Sequence, residues 1–228
     1  MPPTVLVASV EAHARDFASR FERLAASARM VRGQFMMALP GGSVAKAFLP
    51  ALESARLDWS MVHVFWCDER AVPAESPESN FGLAKALLFD RAAAGARLHP
   101  MPAPEAADAY ARELEMTLGI PPTLDLALLG VGEDGHVASL FPGHPALEEK
   151  TRSVLAVEDA PKPPARRLTM SLPMLLRARE VVVAAFGAAK SAAVNAALHD
   201  PASTSPLARV LQQAANVTTL LDVEAAGR

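Results

Sequence analysis

The chain has 228 residues, the size of one α/β domain; 51% are hydrophobic and 21% charged, which supports a buried core and excludes a disordered chain. A net charge of −3 without any Lys/Arg cluster argues against nucleic-acid and anionic-membrane partners, so an anionic ligand must be held by a few local cations. No run reaches 18 uninterrupted apolar residues, the opening MPPTVLVASVEAHARDF has too short an apolar run for a signal peptide, and Cys67 has no internal partner; a cytoplasmic protein without a membrane span is expected.

Residues 4–9 (TVLVAS) read as a strand, after which Phe17, Phe21, Leu24 and Ala25 recur at helical spacing. Residues 34–39 (QFMMAL) are strand-like and break at Pro40-Gly41-Gly42-Ser43, with a helix expected over 44–54. The strand at 61–66 (MVHVFW) ends in Cys67-Asp68-Glu69-Arg70 and a loop holding Pro73 and Pro77; Ser79 or Asn80 then caps a helix over 81–89. An amphipathic helix over 107–118 stops at GIPP, and 124–130 (LDLALLG) is the continuous apolar run of a strand covered on both faces. Further strands are expected at 152–158, 168–172 and 180–187, with a loop over 160–167 and a short helix over 173–178 that starts on Pro173. Helices at 188–200 and 205–214 and a last strand at 217–223 complete the chain. This alternation predicts one domain over residues 1–228. Its fold class is α/β, a mostly parallel sheet covered by helices on both faces in a Rossmann-like three-layer sandwich.

Ligands of such sheets bind at the carboxyl ends of the strands, which singles out four polar loops. Gly130 to Gly135 is a literal G-x-G-x-x-G, yet Glu133 and Asp134 would set two carboxylates where a pyrophosphate should sit. At ~4 Å like charges repel by about 1 kcal/mol even in bulk water. The dinucleotide reading is therefore disfavoured. A tight turn accounts for the glycines but not for His136 directly after them. His136 is either a structural histidine or a general base, its ring oriented by Asp134 or Glu133. His144 has no obvious third ligand, so a zinc site is weakly supported.

Gly41-Gly42-Ser43 offers backbone N–H groups and a hydroxyl between strand and helix: an anion site, or a plain turn. Lys190 puts an ammonium at a helix start, which makes sense beside a bound anion; the bland reading is an exposed lysine, and Arg166-Arg167 carries the same two readings. Asp68-Glu69-Arg70 is either a capping cluster or a site carboxylate with a guanidinium suited to planar oxyanions. No G-x-S-x-G elbow is present, which argues against a serine nucleophile.

The pieces LPGGSVAKAFLPAL, VFWCDERAVPAESPESNFGLAKALL, LALLGVGEDGHVASLFPG, PKPPARRLTMSLPMLLRARE and FGAAKSAAV, in that order from about Met37 to Val194, resemble the 6-phosphogluconolactonase family, which is related to glucosamine-6-phosphate deaminases. The block from Asp125 to Gly143 is the specific one. Deaminases resemble G-H-I-A-F-N-E-P-G, whereas this chain runs Gly135-His136-Val137-Ala138-Ser139-Leu140-Phe141-Pro142-Gly143 and lacks the acid of the N-E-P segment. The resemblance implies hydrolysis of 6-phospho-D-glucono-1,5-lactone in the oxidative pentose phosphate pathway, with no metal and no cofactor. It implies His136 as general base, with Arg70 and Asp68 as catalytic partners and Asp68 orienting Arg70 or a sugar hydroxyl. It further implies that Gly41, Gly42, Ser43, Arg167 and Lys190 hold the phosphate, with Gly132 and Asp134 in the substrate-binding turn. The expected partner is the sugar phosphate alone, for a monomer or weak homodimer. A deaminase-like enzyme and a non-enzymatic sugar-phosphate sensor are the alternatives. One departure stands out: the family's phosphate loop resembles S-G-G-S-T-P, and Val44 here lacks the threonine hydroxyl. Such a lost hydrogen bond to a charged group costs ~1.5–3 kcal/mol.

Overall fold

Apolar runs with no polar alternation must be covered on both faces, and in the computed structural model, which describes residues 3–228, they form the middle of one large sheet. Its strands are β1 (Thr4–Val7), β2 (Phe35–Leu39), β3 (Val62–Trp66), β5 (Arg97–His99), β6 (Leu126–Gly130), β9 (Glu180–Ala185) and β10 (Val217–Leu221), numbered in chain order. They lie in the order β1-β10-β9-β6-β2-β3-β5, every pair parallel. A second, antiparallel sheet joins β4 (Asp68–Arg70), β8 (Arg167–Met170) and β7 (Val154–Val157) in that order.

Helices flank the large sheet. The longest, α1 (Val10–Arg32), starts where the Ser9 side chain accepts from the Ala12 amide, and stops at Gly33 with φ 78°. Its buried residues, among them Phe17, Phe21, Ala25 and Ala28, recur at three- and four-residue steps. Phe17 stacks on Phe48 of α2 (Gly42–Phe48) at 4.9 Å, and Phe21 meets Phe35 of β2 edge-on at 5.4 Å. The remaining helices are α3 (Asn80–Ala84), α4 (Ala107–Leu118), α5 (Leu172–Leu176), α6 (Ser191–His199) and α7 (Pro206–Gln213). Among the described residues, no helix is long and apolar enough to cross a membrane.

Four local differences from the sequence expectation have plain causes. The helix expected over 44–54 ends at Phe48, because Pro50 has no N–H to continue it, and a 3-10 turn covers Pro50–Ser54. The helix expected over 81–89 starts at Asn80, capped by Ser79, and closes in a wider π turn over Lys85–Phe89. Arg97–His99 joins the sheet edge as β5, a strand too short and polar to announce itself. Asp68–Arg70, expected at a loop's start, is a strand because β8 supplies its partners, and that same pairing takes Arg167 out of the loop expected over 160–167.

The two sheets are tied at Cys67. Its amide donates to the Leu39 carbonyl at 2.8 Å and its carbonyl accepts from the Met170 amide at 2.8 Å. Just beyond, Glu69 anchors the proline-containing loop: its carboxylate accepts from the amides of Arg70, Asn80 and Phe81 at 2.7–2.8 Å and from the Ser79 hydroxyl at 3.1 Å. Glu69→Ala strips the partner from three amides at once. At ~1–3 kcal/mol for each buried group left unpaired, the expected loss is at least about 3 kcal/mol by urea denaturation. A loss below about 1 kcal/mol would mean that water replaces the carboxylate.

Candidate active site

The carboxyl ends of β9, β6, β2 and β3, four neighbours in the middle of the large sheet, open onto one cleft of about 230 Å³. Every residue that the family resemblance assigns to the site lines this cleft, except Asp134, which touches it through His136.

The chain leaves β6 at Gly130 and turns back within six residues. The Gly132 amide donates to the His136 carbonyl at 2.9 Å, and the Gly135 amide to the Gly132 carbonyl at 3.0 Å, with Gly135 at φ 80°. A Cβ on Gly132 would fall 2.0 Å from His136 Nδ1 and 2.7 Å from Asp134 Oδ1. Gly132 is thus glycine because the imidazole and its carboxylate lie against its Cα. Ala138, two residues past His136, adopts φ 50°, unusual for a residue with a Cβ, and also lines the cleft.

Asp134, not Glu133, orients the ring. Its Oδ1 lies 2.5 Å from His136 Nδ1 and also accepts from the His136 amide at 3.3 Å. A carboxylate there fixes the proton on Nδ1 and leaves the Nε2 lone pair free. Burial, with Phe141 packed on the ring at 4.7 Å, lowers the His136 pKa below its ordinary value, while Asp134 pulls the other way. The Asp134 carboxyl is held below its usual range: burial opposes this, but His136 and Lys162 outweigh it.

Asp68 lies buried at the start of β4, where Ser139 Oγ donates to its Oδ2 at 2.6 Å. Asn80 Nδ2 donates to its carbonyl at 2.9 Å and to Oδ1 at 3.3 Å, and Arg167 Nη1 lies 3.9 Å from Oδ2. Of the two expected roles for Asp68, orienting Arg70 or a sugar hydroxyl, the first has no hydrogen bond behind it. Arg70 instead donates from Nη1 to the Glu78 carbonyl, while its buried Nε has no partner. Asp68 and Arg70, two residues apart, share one face of β4, and the pairing with β8 places Asp68 opposite Thr169 and Arg70 opposite Arg167.

Arg167 and Arg166 part company. Arg166 pairs with Glu105 and Glu158, outside the cleft lining. Arg167 is buried: Nε donates to the Pro164 carbonyl at 2.9 Å, and Nη2 to the carbonyls of Lys162 at 2.9 Å and Pro163 at 3.3 Å. Its Nη1 reaches Ser139 Oγ at 3.4 Å, and its guanidinium lies 5.5 Å from the Phe141 ring. Lys190 ends the 3-10 turn after β9 and faces the cleft as the N-cap of α6. Gly41 and Gly42, which line the same cleft, open α2, Gly42 at φ 66°, with Ser43 and Val44 beside them. A Cβ on Gly41 would fall 1.7 Å from Asn80 Oδ1, so that glycine, too, makes room for a neighbour.

Lys162, Asn80 and Ser139 were not picked out from the sequence as site residues, Asn80 being read only as a possible helix cap. Lys162 sits in the PKPP loop, and no spacing rule ties it to a strand end; Ser139 lies inside the SLFPG run without a local sign of its role. His144, by contrast, pairs with Asp159 through Nε2 at 2.8 Å and accepts from the Ala146 amide through Nδ1. Among the described residues no group of three His, Cys, Asp or Glu side chains is placed to hold a metal.

The class so defined is a three-layer α/β protein with an imidazole–carboxylate pair and several cations at the ends of its central parallel strands. The model of the glucosamine-6-phosphate isomerases/6-phosphogluconolactonase family matches residues 8–220. The chain is 40% identical over 214 residues to the 6-phosphogluconolactonase of Mycobacterium tuberculosis, covering 86% of each chain. It is 37% identical over 212 residues to that of Rattus norvegicus, covering 86% of this chain and 81% of the rat protein. It also superposes on the Trypanosoma brucei 6-phosphogluconolactonase structure with a TM-score of 0.85 at 30% identity, over 99% of this chain and 98% of that one. The chain belongs to the 6-phosphogluconolactonase family within this wider isomerase/lactonase group. A monomeric glucosamine-6-phosphate deaminase shares the fold, with a TM-score of 0.79 at 20% identity.

The geometry makes a spectroscopic prediction. Because Asp134 raises a pKa that burial lowers, Asp134→Asn lowers the His136 pKa further, read from the ring Cε1 proton by NMR titration. A value unchanged or higher would detach the carboxylate from the ring.

Proposed function

We infer that the chain hydrolyses 6-phospho-D-glucono-1,5-lactone to 6-phosphogluconate with His136 as the general base. The observation that carries the reading is the Asp134–His136 pair, which leaves Nε2 unprotonated in a cleft lined by Arg70, Lys162, Arg167 and Lys190.

Nε2 takes a proton from a water molecule as its oxygen bonds to C1 of the lactone. The carbonyl oxygen becomes an oxyanion, for which Arg70 and an amide of the 130–136 turn are the donors. Collapse breaks the bond from C1 to the ring oxygen, and the imidazolium returns its proton to that oxygen. The new carboxylic acid then loses its own proton to solvent. A pKa lowered by burial suits this role, because the ring is neutral and able to accept a proton at pH 7. Asp134 stabilises the imidazolium formed between the two transfers.

The phosphate is held at the other side of the cleft by the Gly41 and Gly42 backbone, Ser43 and Lys190. Arg167 contributes from Nη1, its other nitrogens being committed to carbonyls. Val44 is buried and would lie 3.4 Å from a Cβ on Gly130, so its side chain packs the turn where the family's threonine would add a hydroxyl. Fixing the phosphate positions C1 for attack, so binding at a distance is used at the reacting carbon. A deaminase would need an acid in the segment that here carries Phe141, and Phe141 instead packs its ring on His136. We place the activity in the cytoplasm, where the buried, unpaired thiol of Cys67 stays reduced.

With the spontaneous rate subtracted, His136→Ala and His136→Asn should each lower kcat by ~10²-fold or more. Near-normal turnover in both would remove His136 from the chemistry. Lys190→Ala should raise KM for the phosphorylated lactone far more than for gluconolactone, and equal effects on the two would refute its phosphate contact.

A further inference from the structure

Hydrolysis of a lactone creates charge at C1, first on the oxyanion and then, permanently, as a carboxylate. This second anionic centre needs its own partner, because the phosphate occupies the Lys190 side of the cleft. Of the four cations in the cleft, Arg167 is largely committed to protein groups and Arg70 only at Nη1, its buried Nε being without a partner. Arg167 gives Nε and Nη2 to three backbone carbonyls, and Arg70 gives Nη1 to the Glu78 carbonyl.

Lys162 is different. Its ammonium lies 3.8 Å from Asp134 Oδ1, the same oxygen that sits 2.5 Å from His136 Nδ1. Its side chain is 42% exposed, so a four-carbon stem carries the charge within reach of the base without being fixed there. At 3.8 Å the contact with Asp134 is longer than a charge-assisted hydrogen bond and is readily exchanged for a better acceptor. The loop that carries it is nevertheless firm, because the Lys162 carbonyl, rather than its side chain, holds Arg167 Nη2 at 2.9 Å.

We propose that Lys162 is the counter-ion of C1: it leaves Asp134 to join Arg70 and the turn amide at the oxyanion and then holds the carboxylate of the product. This rests on the lactonase reading above and adds the residue that recognises the reacting end of the ligand. Lys190 and Lys162 then divide the ligand between them, one ammonium for each anionic end.

The test compares two ligands by calorimetry: 6-phosphogluconate and glucitol 6-phosphate, which carries the same phosphate but a neutral alcohol at C1. The wild-type protein should prefer the carboxylate. Lys162→Met should cut that preference by ~10- to 100-fold, the equivalent of one charge-assisted hydrogen bond, while glucitol 6-phosphate binding stays within about twofold. Lys162→Arg should restore most of the preference. In turnover, Lys162→Met should lower kcat with little change in KM. Equal weakening of both ligands would make Lys162 a phosphate contact and overturn the proposal, as would an unchanged preference. Failure of both ligands to bind the wild-type protein would overturn the sugar-phosphate reading itself.

Discussion

The contact between Asp134 and His136 is the constraint around which the cleft is built. A carboxylate two residues before an imidazole can reach its ring only if the intervening backbone folds back on itself. That fold-back needs Gly135 in the left-handed region and leaves no space for a side chain at Gly132. Once the turn is made, Nδ1 is fixed, Phe141 covers the ring, and Nε2 is the nitrogen left to work. Two of the three glycines that resemble a nucleotide loop, Gly132 and Gly135, are therefore required by a side chain of the protein itself.

The second sheet supports this turn from the side. Cys67 bonds the large sheet on one edge and β8 on the other, so Asp68 and Arg167 arrive at the cleft on a braced platform. Ser139, three residues past the imidazole, donates to Asp68 and so links the base-bearing turn to that platform. Asp68, Ser139 and Arg167 are buried together, and a half-satisfied group of this kind is costly. Carbonyls of Lys162, Pro163 and Pro164 complete it. The proline-rich loop thereby holds the arginine and presents the Lys162 side chain to the cleft.

Rigid and adjustable parts are separated in a way that suits a hydrolase. The imidazole is largely covered and short-bonded to its carboxylate, which holds the base in one tautomer. The two lysines are tethered only by flexible stems. Proton transfer needs a fixed geometry at one atom, whereas an anion that changes shape and charge during reaction is better met by ammonium groups that can follow it.

Read by itself, the sequence settled the layered parallel fold, because buried strands and amphipathic helices have distinct periods. It also settled the loops where a site must lie, and it put His136, Gly41 and Lys190 at strand ends, where the structure has them. Periodicity could not reveal β5 or β4, three-residue strands that exist only because β3 and β8 offer them hydrogen bonds. Nor could it choose Arg167 over Arg166, Asp134 over Glu133, or Arg167 over Arg70 as the neighbour of Asp68. Those choices are made by which side chain points inward and by residues far along the chain, and only the folded arrangement brings Lys162 within 3.8 Å of the carboxylate at Asp134. Local sequence determines the long, periodic elements; contacts across long separations decide the short strands and what each side chain faces.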